Sequence, residues 1–240
     1  MPEASLQTIF THGQIALQGQ FLLGSNYTFL VDVTHAGETI PAVYKPSRGE
    51  QPLWDFEENT LALREVAAYL VSEALGFGLV PYTAFREDGP YGPGSLQRYI
   101  EFDPNHHYFN FTDDEKAALQ PVALFDLLCN NADRKGSHVL FDADRKLWAI
   151  DHGLCFHAED KLRTVIWDFA NQPIPDSLLS LLSGSFDFAQ DKPLAGLADL
   201  TRYLTPEELD ALQSRADQLT RRGVFPPPPA NRRAFPYPPL

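Results

Sequence analysis

The chain is poor in cysteine, in positive charge and in long apolar runs. Only 2 of its 240 residues are cysteine. Cys129 and Cys155 form no CxxC pair, which argues against a disulfide framework or a cysteine-type zinc cluster and fits a reducing cytoplasm. Lys and Arg number 19 against 32 Asp and Glu, a net charge of −13. Nucleic-acid binders take much of their affinity from cationic contacts to phosphates. Anionic membranes attract basic segments. The cationic deficit therefore argues against both partners. No run of about 18 apolar residues is present, so no membrane-spanning helix is expected. Met1-Pro2-Glu3-Ala4 is acidic and lacks an apolar h-region, so no signal peptide is expected either. The expectation is a cytoplasmic protein with no nucleic-acid partner and no stable membrane anchor.

What is present suits a globular fold. Hydrophobic residues make up 44% and charged residues 21%, enough apolar material for a sizeable core. The length suits one large domain or two lobes sharing a cleft. Gln14–Leu17, Tyr27–Val33 and Thr39–Lys45 are short, rich in β-branched and aromatic residues, and separated by turn sequences at 23–26 and 35–38. They read as an antiparallel hairpin or meander. The period then becomes helical through Leu61, Leu63, Val66, Ala67, Leu70, Val71, Ala74 and Leu75. Asn59 is the candidate cap, and Gly76 and Gly78 the candidate stops. Strands are expected again at 79–85 and 95–100.

The second half reads as mostly helical. Thr112-Asp113-Asp114-Glu115 is a capping-box pattern. It opens a helix through Leu128 that Pro121 either kinks or divides. Residues 139–141 and 146–151 flank an Asp142-Ala143-Asp144 turn and read as a short hairpin. Asp176 is placed to cap 178–182. Thr205-Pro206-Glu207-Glu208 opens a last helix, with Pro at its first position. From Phe225 onward the chain is rich in proline, favours polyproline II, and reads as an unengaged tail.

Four residues stand in an informative order. Lys45 ends an apolar strand, Glu65 lies 20 residues on in a helix, Asp133 lies in a polar loop and Asp151 ends another apolar strand. Singly these are a snorkelling lysine, a solvated glutamate and two turn carboxylates. In this order they are the parts list of a kinase-fold phosphotransferase. There the Lys holds ATP phosphates, the Glu orients the Lys, the loop Asp accepts the substrate proton and the last Asp binds a divalent metal.

Around these residues the chain resembles the phosphatidylinositol 3-/4-kinase-like family. It is nearest in motif to the type II phosphatidylinositol 4-kinases and their small, uncharacterised bacterial relatives, and the likeness covers most of residues 20 to 170. The glycine turn over ATP is similar to Gly24-Ser25-Asn26-Tyr27-Thr28-Phe29-Leu30-Val31, and the lysine segment to Val43-Tyr44-Lys45-Pro46. The helix segment is similar to Arg64-Glu65-Val66-Ala67, and the lobe connector to Gly94-Ser95-Leu96-Gln97-Arg98-Tyr99-Ile100. The catalytic loop is similar to Asp126 through Arg134, and the metal segment to Ala149-Ile150-Asp151-His152-Gly153-Leu154.

The resemblance departs at two places. The family carries a metal-binding Asn five positions after the catalytic Asp, where this chain has His138. Mg²⁺ prefers oxygen ligands and imidazole suits softer metals. His138 thus favours Mn²⁺, touches phosphate directly, marks weakened catalysis, or is a plain structural histidine. Lys135, two positions after Asp133, resembles Ser/Thr protein kinases more than lipid kinases. There it steadies the transferring phosphoryl group; a solvated loop lysine is the other reading.

The resemblance implies an α+β, two-lobed protein-kinase-like fold over residues 1–222, divided near 94, with 223–240 as a Pro-rich tail. It implies ATP and Mg²⁺ or Mn²⁺ as cofactors and an unknown hydroxyl acceptor, a protein Ser/Thr or small molecule before an inositol lipid. Asp133, Lys135 and Asn131 are the expected catalytic group. Gly24, Ser25, Asn26, Lys45, Glu65, Gln97, Tyr99 and Ile100 are expected around ATP. Asp151, with His138 or Asn131, is expected at the metal. Phosphatidylinositol 4-kinase activity, a nucleotide-sensing pseudokinase and nucleotidyl transfer are the alternatives.

Overall fold

A computed structural model describes residues 3–21, 26–182 and 197–240. Gly24 and Ser25, expected in the turn over ATP, lie outside the described residues.

The first lobe is a five-stranded antiparallel sheet with one helix before β1 and another between β3 and β4. Its strands are β1 (Gln14–Gln20), β2 (Phe29–His35), β3 (Glu38–Pro46), β4 (Thr83–Gly89) and β5 (Gly92–Arg98), in the order β1-β2-β3-β5-β4. Alternation sorts the side chains onto two faces. Val31, Val33, Ala42, Tyr44 and Leu96 are buried on one face against Ile9 and Phe10. Those two residues come from α1 (Glu3–His12), a helix not anticipated from the sequence. Among its residues of described burial only Ile9 and Phe10 are strongly buried apolar anchors, so its periodicity is weak. Arg86 of β4 holds its C-terminal end, donating to Phe10 O at 2.8 Å and Gly13 O at 3.0 Å. At Gly13 a Cβ would fall 2.4 Å from Ile9 O and 2.7 Å from Val33 Cγ1, so only glycine fits this junction.

Helix α2 (Leu61–Ala74) follows β3 after a loop. Ala62, Ala67 and Ala68 are buried and let it lie close to its neighbours. Its start is not capped by Asn59, which sits at φ 64°. Instead the Glu50 carboxylate accepts from Leu61 N at 3.2 Å and Ala62 N at 2.9 Å. A carboxylate at this end also complements the helix dipole. The helix stops at Gly76, which takes φ 74°.

The second lobe buries the larger core. Pro121 divides the expected helix in two: α3 (Asp113–Ala117), with the Thr112–Glu115 capping box, and α4 (Gln120–Cys129), with proline in its first turn. The lobe adds a hairpin of β6 (Val139–Phe141) and β7 (Leu147–Ala149), then α5 (Asp176–Leu182) and α6 (Pro206–Arg222). Leu119, Val122, Leu124, Phe125 and Leu128 meet Leu209, Leu212, Ala216 and Leu219 of α6 in one core. Ala149 N donates to Leu79 O at 2.9 Å and joins the hairpin to the connector after α2.

The proline-rich segment is not unengaged. Phe225 is buried in the core, and its backbone exchanges bonds with Gln172 O and Asn171 N. Further on, Thr164 N donates to Ala234 O and Gly136 N to Pro239 O. Proline removes donors but leaves every carbonyl free to accept. Among the described residues no helix is long and apolar enough to cross a membrane.

Candidate active site

Strand β3 ends against β5 and aims Lys45 off the face opposite the α1 core. Helix α2 brings Glu65 to it, and the loop after β7 brings Asp151. The Lys45 ammonium bonds the Glu65 carboxylate Oε1 and lies 2.9 Å from Asp151 Oδ1. Burial alone would lower the Lys45 pKa, but the Asp151 and Glu65 carboxylates outweigh it and push it up. Glu65 is fixed from a second side, since its Oε2 accepts from His152 N at 3.0 Å. Asp151 takes φ 61°, a strained backbone for a residue with a Cβ. Burial works against its charge, yet Lys45 and then His138 hold its carboxyl far below the usual range. Three of the four residues expected from their order thus meet at one point.

The fourth, Asp133, lies in the loop after α4, near enough for the Asp151 charge to act on it. Burial raises its carboxyl to about 6, against the opposing pull of Lys135, whose Nζ is 3.3 Å from Asp133 Oδ2. A carboxylate near 6 is still ionised at neutral pH and is a stronger base than a solvated one. His138 Nε2 lies 3.2 Å from Asp151 Oδ2. Burial lowers the His138 pKa to about 4, so the ring is neutral at physiological pH. Asp151 can only accept, so Nε2 carries the proton, and the buried Nδ1 has no partner.

Other expected contacts are employed differently. Both ends of the Asn131 amide are spent inside the protein: Nδ2 donates to Asp126 Oδ1 at 3.0 Å and Oδ1 accepts from Asp133 N at 2.9 Å. Both bonds shape the loop that carries Asp133. Gln97 is buried in the sheet, where its Nε2 donates to Thr83 Oγ1 at 2.9 Å. Asn26 Oδ1 accepts from Gln51 N at 2.8 Å and so is tied to the loop after β3. Tyr99 N donates to Pro41 O at 3.1 Å. Ile100 packs with Leu140 and Trp148, an apolar floor where the two lobes join.

The residues missed from the sequence lie beneath the site. Arg134 is 0% exposed. Its Nε and Nη2 bond the Asp126 carboxylate at 3.0–3.1 Å, and its Nη1 donates to His138 O at 3.1 Å and Ile150 O at 2.7 Å. One guanidinium therefore fixes the loop of Asp133 to the segments carrying His138 and Asp151. Its Nη2 also lies 2.7 Å from His152 Nε2, which must accept because arginine only donates. The sequence signal was Asp126, one charge in the apolar run Leu124-Phe125-Asp126-Leu127-Leu128. Such a residue is rarely buried without a partner. Arg64, beside Glu65, donates to Cys155 O at 2.7 Å and pairs with Glu208 at the start of α6.

Among the described residues no three His, Cys, Asp or Glu side chains form a ready metal cage. Two candidate ligands do adjoin, the Asp151 carboxylate and the neutral His138 ring, whose Nε2 faces it at 3.2 Å and would have to give up its proton to bind a metal. That set fits a divalent cation completed by phosphate oxygens and water, the usual arrangement beside a nucleotide. One imidazole extends the fit toward Mn²⁺.

No protein-family model matches the chain. Protein Rv2133c of Mycobacterium tuberculosis is 37% identical in an alignment 265 positions long, gaps included, that covers 96% of this chain and 94% of that protein. The crystal structure of the Helicobacter pylori proinflammatory kinase CtkA superposes with a TM-score of 0.53 at 12% identity, covering 90% of this chain and 94% of that one. That likeness establishes the fold: α+β, two-lobed and kinase-like.

Proposed function

The chain belongs to the family of Protein Rv2133c, and from that premise we propose that it is an ATP-dependent phosphotransferase of the phosphatidylinositol 3-/4-kinase-like type. It moves the γ-phosphate to a hydroxyl of a protein Ser/Thr or a small molecule. The observation that carries the reading is the Lys45 ammonium held between Glu65 and Asp151, with Asp133 near enough for the Asp151 charge to act on it.

Lys45 exchanges its Asp151 contact for ATP phosphates while Glu65 keeps its rotamer. The apolar floor of Ile100, Leu140 and Trp148 takes the adenine face. Asp133 accepts the proton of the attacking hydroxyl, and Lys135 steadies the transferring phosphoryl group. Asp151 and His138 are the residues that would hold Mg²⁺ or Mn²⁺, which would supply charge neutralisation at the phosphates. Orientation of the loop falls to Asn131 and Arg134, which touch no substrate.

Calorimetric titration with a non-hydrolysable ATP analogue tests this, first with Mg²⁺ and then with Mn²⁺, beside Asp151→Asn. Metal-dependent binding that the substitution abolishes is expected. No binding with either metal would remove the kinase mechanism. The His138 position favours one second reading, a module that binds nucleotide without turnover. In that case Asp133→Ala leaves nucleotide binding intact and no phosphoryl transfer is found in the unaltered protein.

A further inference from the structure

The segment 225–240 crosses the outer flank of the catalytic loop, and five groups along that flank are occupied by it. Gly136 N, between Lys135 and His138, donates to Pro239 O at 2.8 Å. Thr164 N donates to Ala234 O at 3.1 Å, and Trp167 Nε1 to the same carbonyl at 3.2 Å. Leu162 O accepts from Arg232 Nη1, and Asp160 from Arg232 Nη2, both at 2.5 Å. Thr164 in turn bridges Arg134, the neighbour of Asp133. On the other flank, Gly136 packs against Phe109 so closely that a Cβ would lie 2.8 Å from its ring.

An extended peptide binds a protein edge through free backbone donors and acceptors. Here Gly136 N, Leu162 O and Thr164 N are already satisfied by a strap of this same chain. The strap contains no Ser or Thr, so it offers no hydroxyl of the kind it displaces. We propose that residues 232–239 wall the acceptor side of the cleft and restrict the acceptor to a small hydroxyl compound, excluding extended polypeptide. This rests on the phosphotransferase reading above and narrows its substrate class.

The test uses the full chain and Arg232→Ala, with Arg232→Lys as the conservative control. Amide exchange at Gly136 and Thr164 reports whether the strap is seated: slow in the unaltered protein and Arg232→Lys, at least tenfold faster in Arg232→Ala. Each protein is then given ATP with a degenerate Ser/Thr peptide mixture, or with free serine, glycerol and D-ribose. The expected result is little peptide phosphorylation by the unaltered protein and at least a tenfold rise in Arg232→Ala, with unchanged affinity for the ATP analogue. Phosphorylation of peptides by the unaltered protein at the rate of Arg232→Ala would overturn the strap proposal alone. Failure of all three proteins to bind the ATP analogue would overturn the phosphotransferase reading beneath it.

Discussion

Asp133 combines a favourable chemistry with an unfavourable energy. Its folded carboxyl titrates near 6, chiefly because burial disfavours the charge. In the unfolded chain the same group titrates near 4. Between about pH 4 and 6 the folded state holds the extra proton, so stability falls as pH rises through that window. Above pH 6 the cost is fully present. Asp133→Asn should therefore stabilise the protein by about 1–2 kcal/mol at pH 8 and by nearly nothing at pH 4, as read by urea unfolding. The same substitution should lower phosphoryl transfer by roughly 10²–10⁴-fold. In the unaltered protein the transfer rate should climb with pH and level off above about 6. A rate that falls across that range would remove Asp133 as the base.

Among the elements, α6 depends most visibly on its cap. Thr205 Oγ1 accepts from Glu208 N while Glu208 Oε2 accepts from Thr205 N. Thr205→Ala should cost about 1 kcal/mol, seen as a lower urea midpoint with an unchanged slope. This helix was legible because its signal is local: Thr, Pro and Glu in fixed order. The β2–β3 and β6–β7 hairpins were legible for the same reason, while at Pro121 the sequence left a kink or a division open and the helix divides. The start of α2 was not, because its cap is Glu50, in a loop 11 residues before Leu61. Helix α1 was not either, since Arg86 of β4 holds it. At the site, Lys45, Glu65, Asp133 and Asp151 could be read from order and residue type. The internal employment of Asn131 and Gln97 could not, because residue type does not say whether an amide turns to its neighbours Asp126 and Asp133, or across the sheet to Thr83, and not to a ligand. The engagement of 225–240 was hidden likewise, since its composition matches that of a free tail and its partners are backbone groups.

For the molecule as a whole, the excess of 32 acidic over 19 basic residues sets a field that opposes compactness. Salt screens such repulsion, with a Debye length of about 10 Å at 0.1 M. The melting temperature should rise between low salt and about 0.5 M sodium chloride; a fall would mean that exposed ion pairs outweigh the repulsion. A basic acceptor should also react faster at low salt than an acidic one of similar size.

Helix α2 has its own consequence for motion. It is counted with the first lobe by chain order, yet Arg64 holds Glu208 and Cys155 O, and Glu65 holds His152 N. All three anchors lie in the second lobe. Those anchors tie the helix to the second lobe while it also packs on β4 and β5, so a swing of the sheet would fall first on the contacts of β3. Any widening of the cleft must then open a seam between β3 and α2, and the Lys45–Glu65 pair is the stitch across that seam. The contact that orients the lysine is therefore also the one that registers whether the jaws are shut.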